Sequence, residues 1–324
     1  MHRSWPRTSP QIRPHALATL CLAACVGKHD DSSAPDSVDT ATPWPPEPSR
    51  YDCSAAPAER WIARDPTCAT DRSCADLLVS GHRGAGGELG VIAPEDTVIA
   101  VNAAVAWGLD LVETDPRPTA DGYLVNLHDT TVDRTTDGTG EASDMTLAEI
   151  QALNVDVEGY EGDFSCARVP TLEEVLDAAR GRVHVLVDAN KTDRVDLLVA
   201  AITSTDTLDW AIFDTSSVDK IDEALALEPR LHTMIRVDDE AQLAEQIAHF
   251  EAHPPVIVEI DATVPELATA VREAGHRALM DVFLGDAAAM SNGSTRYYES
   301  TLDEGVQILQ TDRPDLLLPV VWAR

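Results

Sequence analysis

The chain has 324 residues and 44% hydrophobic content, enough to bury one large α/β barrel or two ordinary domains. Its formal charge of −32 argues against binding nucleic acid or anionic headgroups through bulk electrostatics. Any anionic substrate must therefore be held by local cations or by a metal.

At the N-terminus His2, Arg3, Arg7 and Arg13 precede a short apolar run, Ala16 to Ala24, too short to span a bilayer. This pattern is that of an export signal over residues 1–24. Its end, Leu22-Ala23-Ala24-Cys25, resembles the lipobox of bacterial lipoproteins, in which cleavage leaves a lipidated cysteine, here Cys25, at the mature N-terminus. Cleavage removes three arginines and no acid, moving the formal charge from −32 to −35. Val26-Gly27 carries no aspartate retention signal, so an exported lipoprotein of the outer membrane, periplasm or cell surface is expected. Residues 25–50, rich in Pro, Ser, Thr and Asp, are expected to form a disordered tether.

Of six cysteines, four remain once Cys21 leaves and Cys25 takes lipid: Cys53, Cys68, Cys74 and Cys166. In an exported chain they imply two disulfides with three possible connectivities. A cysteine metal site is the alternative, but Cys68 and Cys74 lack the tight spacing of structural zinc.

After a cysteine-bearing lead-in, residues 51–76, the barrel region is read over 77–324. Leu77 to Ser80 is a strand entering the loop Gly81-His82-Arg83-Gly84. Thr97 to Trp107 has the spacing of a helix with one buried face, closed by Gly108. Leu109 to Asp115 is a second strand, and Asp121-Gly122 marks a turn before a third, Tyr123 to His128. Thr146 to Leu153 is a short helix, and 154–169 is a loop or small insertion. Thr171 and Glu174 form a capping box that opens the next helix.

From there strands and helices alternate. Strands are expected at Val183 to Asp188, Trp210 to Phe213, His232 to Arg236, Pro255 to Ile260, Arg277 to Phe283 and Val306 to Gln310. The total is nine strands for eight staves, so one is peripheral. The simplest architecture is an α/β fold of the (β/α)8 TIM-barrel type with a small insertion and an N-terminal disulfide-bearing extension.

Barrel chemistry sits at strand C-termini, and here those ends read His82 and Arg83, Glu113 and Asp115, His128 and Asp129, and Asp188. Glu113 and Asp115 are two apart on a strand, so both project to one face and can share a hard cation, Mg²⁺ or Ca²⁺. Asp188 is a candidate third ligand. His82 and His128 can act as general base and general acid, and Arg83 offers a fork that matches a phosphate.

The ordered strings His82-Arg83-Gly84, Pro94-Glu95-Asp96-Thr97, Val112-Glu113-Thr114-Asp115, Asp121-Gly122, His128-Asp129, Arg134 to Gly140, Pro170 to Glu174 and Thr311-Asp312-Arg313-Pro314 resemble the glycerophosphodiester phosphodiesterases. The resemblance covers about residues 77 to 318. It implies a barrel binding one divalent cation through Glu113, Asp115 and Asp188, with His82 and His128 as the acid/base pair. On the substrate side it implies Arg83 on the phosphate, supported by Glu95, with a lysine represented by Lys191. The products would be glycerol 3-phosphate and a free alcohol.

Three positions depart from the family pattern. Asp96 replaces an asparagine, and Leu279 to Phe283 stands where a Trp-Thr pair is common. The usual Glu-x-Lys reads Asp188-Ala189-Asn190-Lys191, so that on a regular strand Lys191 faces away unless a bulge re-aims it. An aspartate at the third metal position also occurs in the related sphingomyelinase D-type phospholipases, which makes a phospholipase D-type enzyme on intact lipids the alternative. A catalytically inert barrel lipoprotein is the other.

Overall fold

The computed structural model describes residues 44–55 and 65–324. The export signal and Cys25 lie outside the described residues. Eight strands close a barrel in the order β1-β10-β9-β8-β7-β6-β5-β2, every neighbouring pair parallel. They are β1 (Leu78–Gly81), β2 (Leu111–Thr114), β5 (His184–Asp188), β6 (Ala211–Thr215), β7 (His232–Val237), β8 (Ile257–Ile260), β9 (Arg277–Asp281) and β10 (Ile308–Thr311). Helices α1 (Val98–Trp107), α3 (Leu172–Ala179), α4 (Val195–Ser204), α5 (Val218–Leu227), α6 (Glu240–His249), α7 (Leu267–Glu273), α8 (Phe283–Asn292), α9 (Arg296–Asp303) and α10 (Pro314–Trp322) connect the staves.

The peripheral strand is the third one expected. Its core, β4 (Leu124–Asn126), pairs antiparallel with β3 (Pro116–Pro118) in a hairpin outside the barrel. The Pro116 to Gly122 connection is too short for the crossover a parallel stave needs. The hairpin and the short α2 (Leu147–Gln151) have their own small core, with Val125, Leu127, Val132, Ile150 and Val169 buried together.

Local signals act as the sequence suggests. Thr97 caps α1 by accepting from Ala100 N–H, and Gly108 ends the helix at φ 82°, a left-handed conformation that glycine adopts without strain. Thr171 and Glu174 make both bonds of the capping box, and Thr146 and Glu149 do the same for α2.

The barrel interior is layered by period-two alternation. Leu78, Leu111, Leu186, Ile212, Met234, Ile257, Leu279 and Ile308, one from each stave, pack together at the lower end. Two residues further along each strand stand Ser80, Glu113, Asp188, Asp214, Arg236, Glu259, Asp281 and Gln310. One layer is wholly apolar; the next is polar, with five carboxylates and one guanidinium.

Two disulfides form, Cys53–Cys166 and Cys68–Cys74, which resolves the connectivity left open by spacing and removes the cysteine-metal alternative. The Cys68–Cys74 segment closes the lower end of the barrel: Cys68 packs with the apolar layer, and the fully buried Arg277 donates to the carbonyls of Cys68 and Asp76. Of the tether expected over 25–50, residues 44–50 are instead packed on the barrel. Trp44 makes edge contacts with Trp107 and Trp322, and Pro48–Arg50 is a 3-10 turn. Two indoles offer enough apolar area to order that stretch.

Candidate active site

Glu113, Asp115 and Asp188 bring one oxygen each to within 4.8 Å of one another, and all three are buried. Burial first, then the charges of Asp115, Asp96 and Asp188, holds the Glu113 carboxyl well above its ordinary range. Asp115 Oδ2 is buried with no hydrogen-bond partner among the described residues. Three converging carboxylates with an unsatisfied oxygen suit a hard divalent cation in both charge and donor type.

Around this triad the chain places cations. Arg83, at φ 51°, donates its backbone N–H to Glu113 Oε2 at 3.0 Å and its Nη1 to Glu95 Oε1 at 3.0 Å. Its Nε lies 3.6 Å from Asp115 Oδ2. Glu95 is also gripped by Arg134 through Nη1 and Nη2 at 2.9 and 2.7 Å. Burial alone would raise Glu95, but the hydrogen bonds and charge of Arg134 and Arg83 outweigh it and hold the carboxyl below its usual range.

Lys191 does not face away. A single 3-10 turn, Ala189–Lys191, follows β5 directly and swings the side chain back, placing Nζ 3.4 Å from Asp115 Oδ1. Asp188 caps that turn, its Oδ1 accepting from Asn190 N and Nδ2 at 2.7 and 2.6 Å. The displacement of the lysine by one residue is absorbed by the turn.

Both histidines are anchored alike. His82 follows β1, and its Nδ1 lies 2.6 Å from Asp312 Oδ1; that carboxylate also accepts from Gly87 and Leu89 N–H. His128 Nδ1 lies 2.9 Å from Asp129 Oδ1. A carboxylate can only accept, so Nδ1 donates a proton to its anchor in each ring and Nε2 is left free of it. His82 Nε2 is 3.8 Å from Glu113 Oε2, which puts it against the triad. Burial would lower His82, yet the hydrogen bond and charge of Asp312 prevail and hold it above its ordinary value.

His128 is carried by the hairpin, not by a stave. The Leu127 N–H bonds the Asp115 carbonyl at 2.9 Å, folding the hairpin over the end of β2, and Arg117 Nε bonds the Leu127 and His128 carbonyls at 2.9 and 3.0 Å. Arg134 in turn holds Asp129 Oδ2 at 2.7 Å, so one guanidinium ties the partner of His128 to Glu95.

Asp96 occupies the position of the family asparagine. It is buried at φ 55°, and its Oδ1 lies 3.3 Å from Asp115 N. Burial, then Asp115 and Glu95, pushes its carboxyl well above the normal range. In the neutral form it can donate a hydrogen bond as the amide does.

Several functional groups were not assigned a role from spacing alone: Asp129, Arg134 and Asp312, and the cluster in which Arg236 meets Asp214, Glu259 at 3.0 Å and Asp188 at 3.6 Å. Asp312 and Asp129 had a readable signal, since each ends a strand-like run within a motif. Arg236 had one only through the alternation of its strand.

Fold and site define a (β/α)8 barrel with an acidic cation site and two carboxylate-anchored imidazoles at its C-terminal mouth. The chain belongs to the glycerophosphoryl diester phosphodiesterase family, whose model matches residues 82–316. It is 43% identical over 100 residues to a glycerophosphodiester phosphodiesterase of Caldanaerobacter subterraneus, a stretch covering 31% of this chain and 39% of the relative. It is 35% identical over 124 residues to one of Bacillus subtilis, covering 36% and 41%. The matched stretches thus span less than half the length of these curated relatives. Among solved structures, a glycerophosphodiester phosphodiesterase from Agrobacterium tumefaciens aligns at TM-score 0.59 and 26% identity over 75% of this chain and 99% of that one. A Parabacteroides distasonis structure aligns at TM-score 0.67 and 22% identity over 80% and 90%. An Oleispira antarctica phosphodiesterase, solved with its product sn-glycerol-3-phosphate, aligns at TM-score 0.62 and 20% identity over 76% and 97%.

Proposed function

We propose that the chain is a metal-dependent phosphodiesterase that cleaves glycerophosphodiesters to glycerol 3-phosphate and an alcohol. The observation that carries this reading is a buried triad of metal-type oxygens with His82 Nε2 3.8 Å from one of them, together with a second carboxylate-anchored imidazole, His128, on the hairpin bonded to Asp115. Glu113, Asp115 and Asp188 would hold the cation, Mg²⁺ or Ca²⁺, which when bound supplies positive charge to the phosphoryl oxygens and acidifies a hydroxyl.

The chain's own groups do the rest. Lys191 and Arg83, both beside Asp115, give the phosphate end its positive surroundings. One imidazole Nε2 takes the proton of the attacking hydroxyl, the glycerol 2-hydroxyl or a water, as the new P–O bond forms. The other imidazole, entering the step protonated on both nitrogens, delivers its Nε2 proton to the departing alkoxide as the old P–O bond breaks; where the glycerol 2-hydroxyl has attacked, water then opens the resulting cyclic phosphate to glycerol 3-phosphate. Glu95, clamped by two arginines, keeps Arg83 and the Asp129–His128 pair in register.

A substrate panel with and without chelator tests this. Glycerol 3-phosphate released from deacylated diesters, abolished by chelation and by His82→Ala, is expected. Headgroup release from lysolipid or sphingomyelin alone would favour the phospholipase D-type alternative, which the Asp188 position motivates. No turnover of either would favour the inert barrel. We further propose an exported lipoprotein anchored through Cys25; Cys25→Ser should move the protein from the membrane fraction to the soluble one.

A further inference from the structure

A hollow of about 130 Å³ opens on the outer side of the Glu95–Arg134 pair, and the mechanism gives its space no occupant. Tyr160, Glu88, Asp156 and Glu158 form its walls, with Arg134 and Glu95 at the inner end. Arg134 is already engaged by Glu95 and Asp129. Among the described residues no cation pairs with Glu88, Asp156 or Glu158, so the hollow keeps a strong negative excess. Phe164 holds the Tyr160 ring edge-on, with centroids 6.0 Å apart. The Tyr160 phenol is pushed up to about 12, by burial first and then by the charges of Glu95 and Asp156. An aromatic ring and three carboxylates thus share one concave surface.

The hollow is tied through its lining to the partners of both imidazoles. Arg134 links it to Asp129, the partner of His128, and Glu88 in its wall sits between Gly87 and Leu89, whose N–H groups bond Asp312, the partner of His82. The departing alcohol receives its proton from one of those imidazoles, so its substituent must lie within reach of this surface. The phosphate has its cations elsewhere, at Lys191 and Arg83.

We propose that this hollow receives the alcohol of the diester and selects alcohols that carry an ammonium group. The inference rests on the phosphodiesterase reading and names its substrate class. An ammonium gains from the ring face and from the carboxylates together, whereas a neutral polyol gains neither and an anionic alcohol is repelled. Quaternary and primary ammonium alcohols share this chemistry, and the quaternary one gains more from the ring.

The test compares kcat/KM for glycerophosphocholine, glycerophosphoethanolamine, glycerophosphoglycerol and glycerophosphoinositol on the full chain. We expect an ammonium-to-neutral ratio of about ten or more, carried by KM. In Tyr160→Leu and in Glu88→Gln/Asp156→Asn/Glu158→Gln that ratio should fall towards one. Turnover of all four diesters at similar rates would overturn the proposal while leaving the phosphodiesterase reading intact. Should none be turned over, the phosphodiesterase reading fails by itself. Saturation-transfer NMR with choline alone then decides: transfer from the Tyr160 ring protons, lost in the triple variant, supports the hollow as an ammonium site, and its absence in the wild type overturns it.

Discussion

Lys191 Nζ stands 3.4 Å from Asp115 Oδ1, although the two residues leave neighbouring staves and Lys191 sits three positions beyond the last residue of β5. A short turn delivers the ammonium to the acidic triad from outside the strand register. That position lets it serve the phosphate and compete with a metal for the same carboxylate.

Removing that ammonium should therefore separate two quantities. Lys191→Met is expected to lower kcat/KM by about ten- to a hundredfold, the worth of a charge-assisted contact. Calorimetric titration with Mg²⁺ or Ca²⁺ should show unchanged or tighter binding, because a competing cation has gone. Weaker metal binding in the variant would contradict this placement of Lys191.

The Asp312 carboxylate holds His82 above its ordinary pKa against the effect of burial. The protonated pair contributes stability that is fully present below about pH 6.5 and is lost as pH rises through the folded value. Asp312→Asn removes the charge, lowers the His82 pKa and should move the pH–rate limb governed by His82 to lower pH. His82→Ala should cost about 10²–10⁴ in rate. A pH–rate profile unchanged in Asp312→Asn would show that the dyad does not set that limb.

Glu113 is buried among like charges, and in the absence of a cation that arrangement opposes folding. Glu113→Gln should therefore melt higher than the wild type in chelator yet gain nothing from added Mg²⁺ or Ca²⁺. The wild type should gain, since ligand binding to the folded state raises stability. Equal metal-induced shifts in both proteins, measured by scanning calorimetry, would remove Glu113 from the ligand set.

Asp286 lies beneath the site, accepting from the Tyr298 and Thr311 hydroxyls and from Asp312 N–H, and burial nonetheless raises it to about 6. Between pH 3.8 and about 6 the folded protein binds a proton that the unfolded chain releases. This group's contribution to stability thus falls as pH rises through that window, by about 3 kcal/mol in all. Urea titrations of the wild type and Asp286→Asn should differ by an amount that shrinks steadily from pH 4 to pH 6, the wild type losing ground. A constant difference would show that Asp286 does not titrate there.

The Cys53–Cys166 bridge joins residues 113 apart in sequence. Cys53→Ala/Cys166→Ala should cost about 2–5 kcal/mol, read as a lower denaturation midpoint. The segment it fastens includes Tyr160 and Phe164, so KM should change more than kcat.

Much of this was legible before the fold was seen. The strings Leu78-x-Ser80-x-His82, Leu111-x-Glu113-x-Asp115 and Ile308-x-Gln310-x-Asp312 each step from apolar layer to polar layer to catalytic mouth, a strand period written directly in the chain. What could not be read depends on departures from that period. Lys191 is aimed by a 3-10 turn with no strong signature, and His128 rides on a hairpin whose strand looks like a stave. Arg134 acquires meaning only where the loop after β4 brings it against Glu95 across 39 residues. The Cys68–Cys74 pair, six residues apart, gave no hint that it would sit under the barrel.

That pair and the apolar layer above it shut the lower end, while the chemistry lies at the upper one. On the proposed phosphodiesterase reading, cation, diester and products would all pass through that upper end, so their traffic would be sequential. A slow ion off-rate and inhibition by product would then rise and fall together.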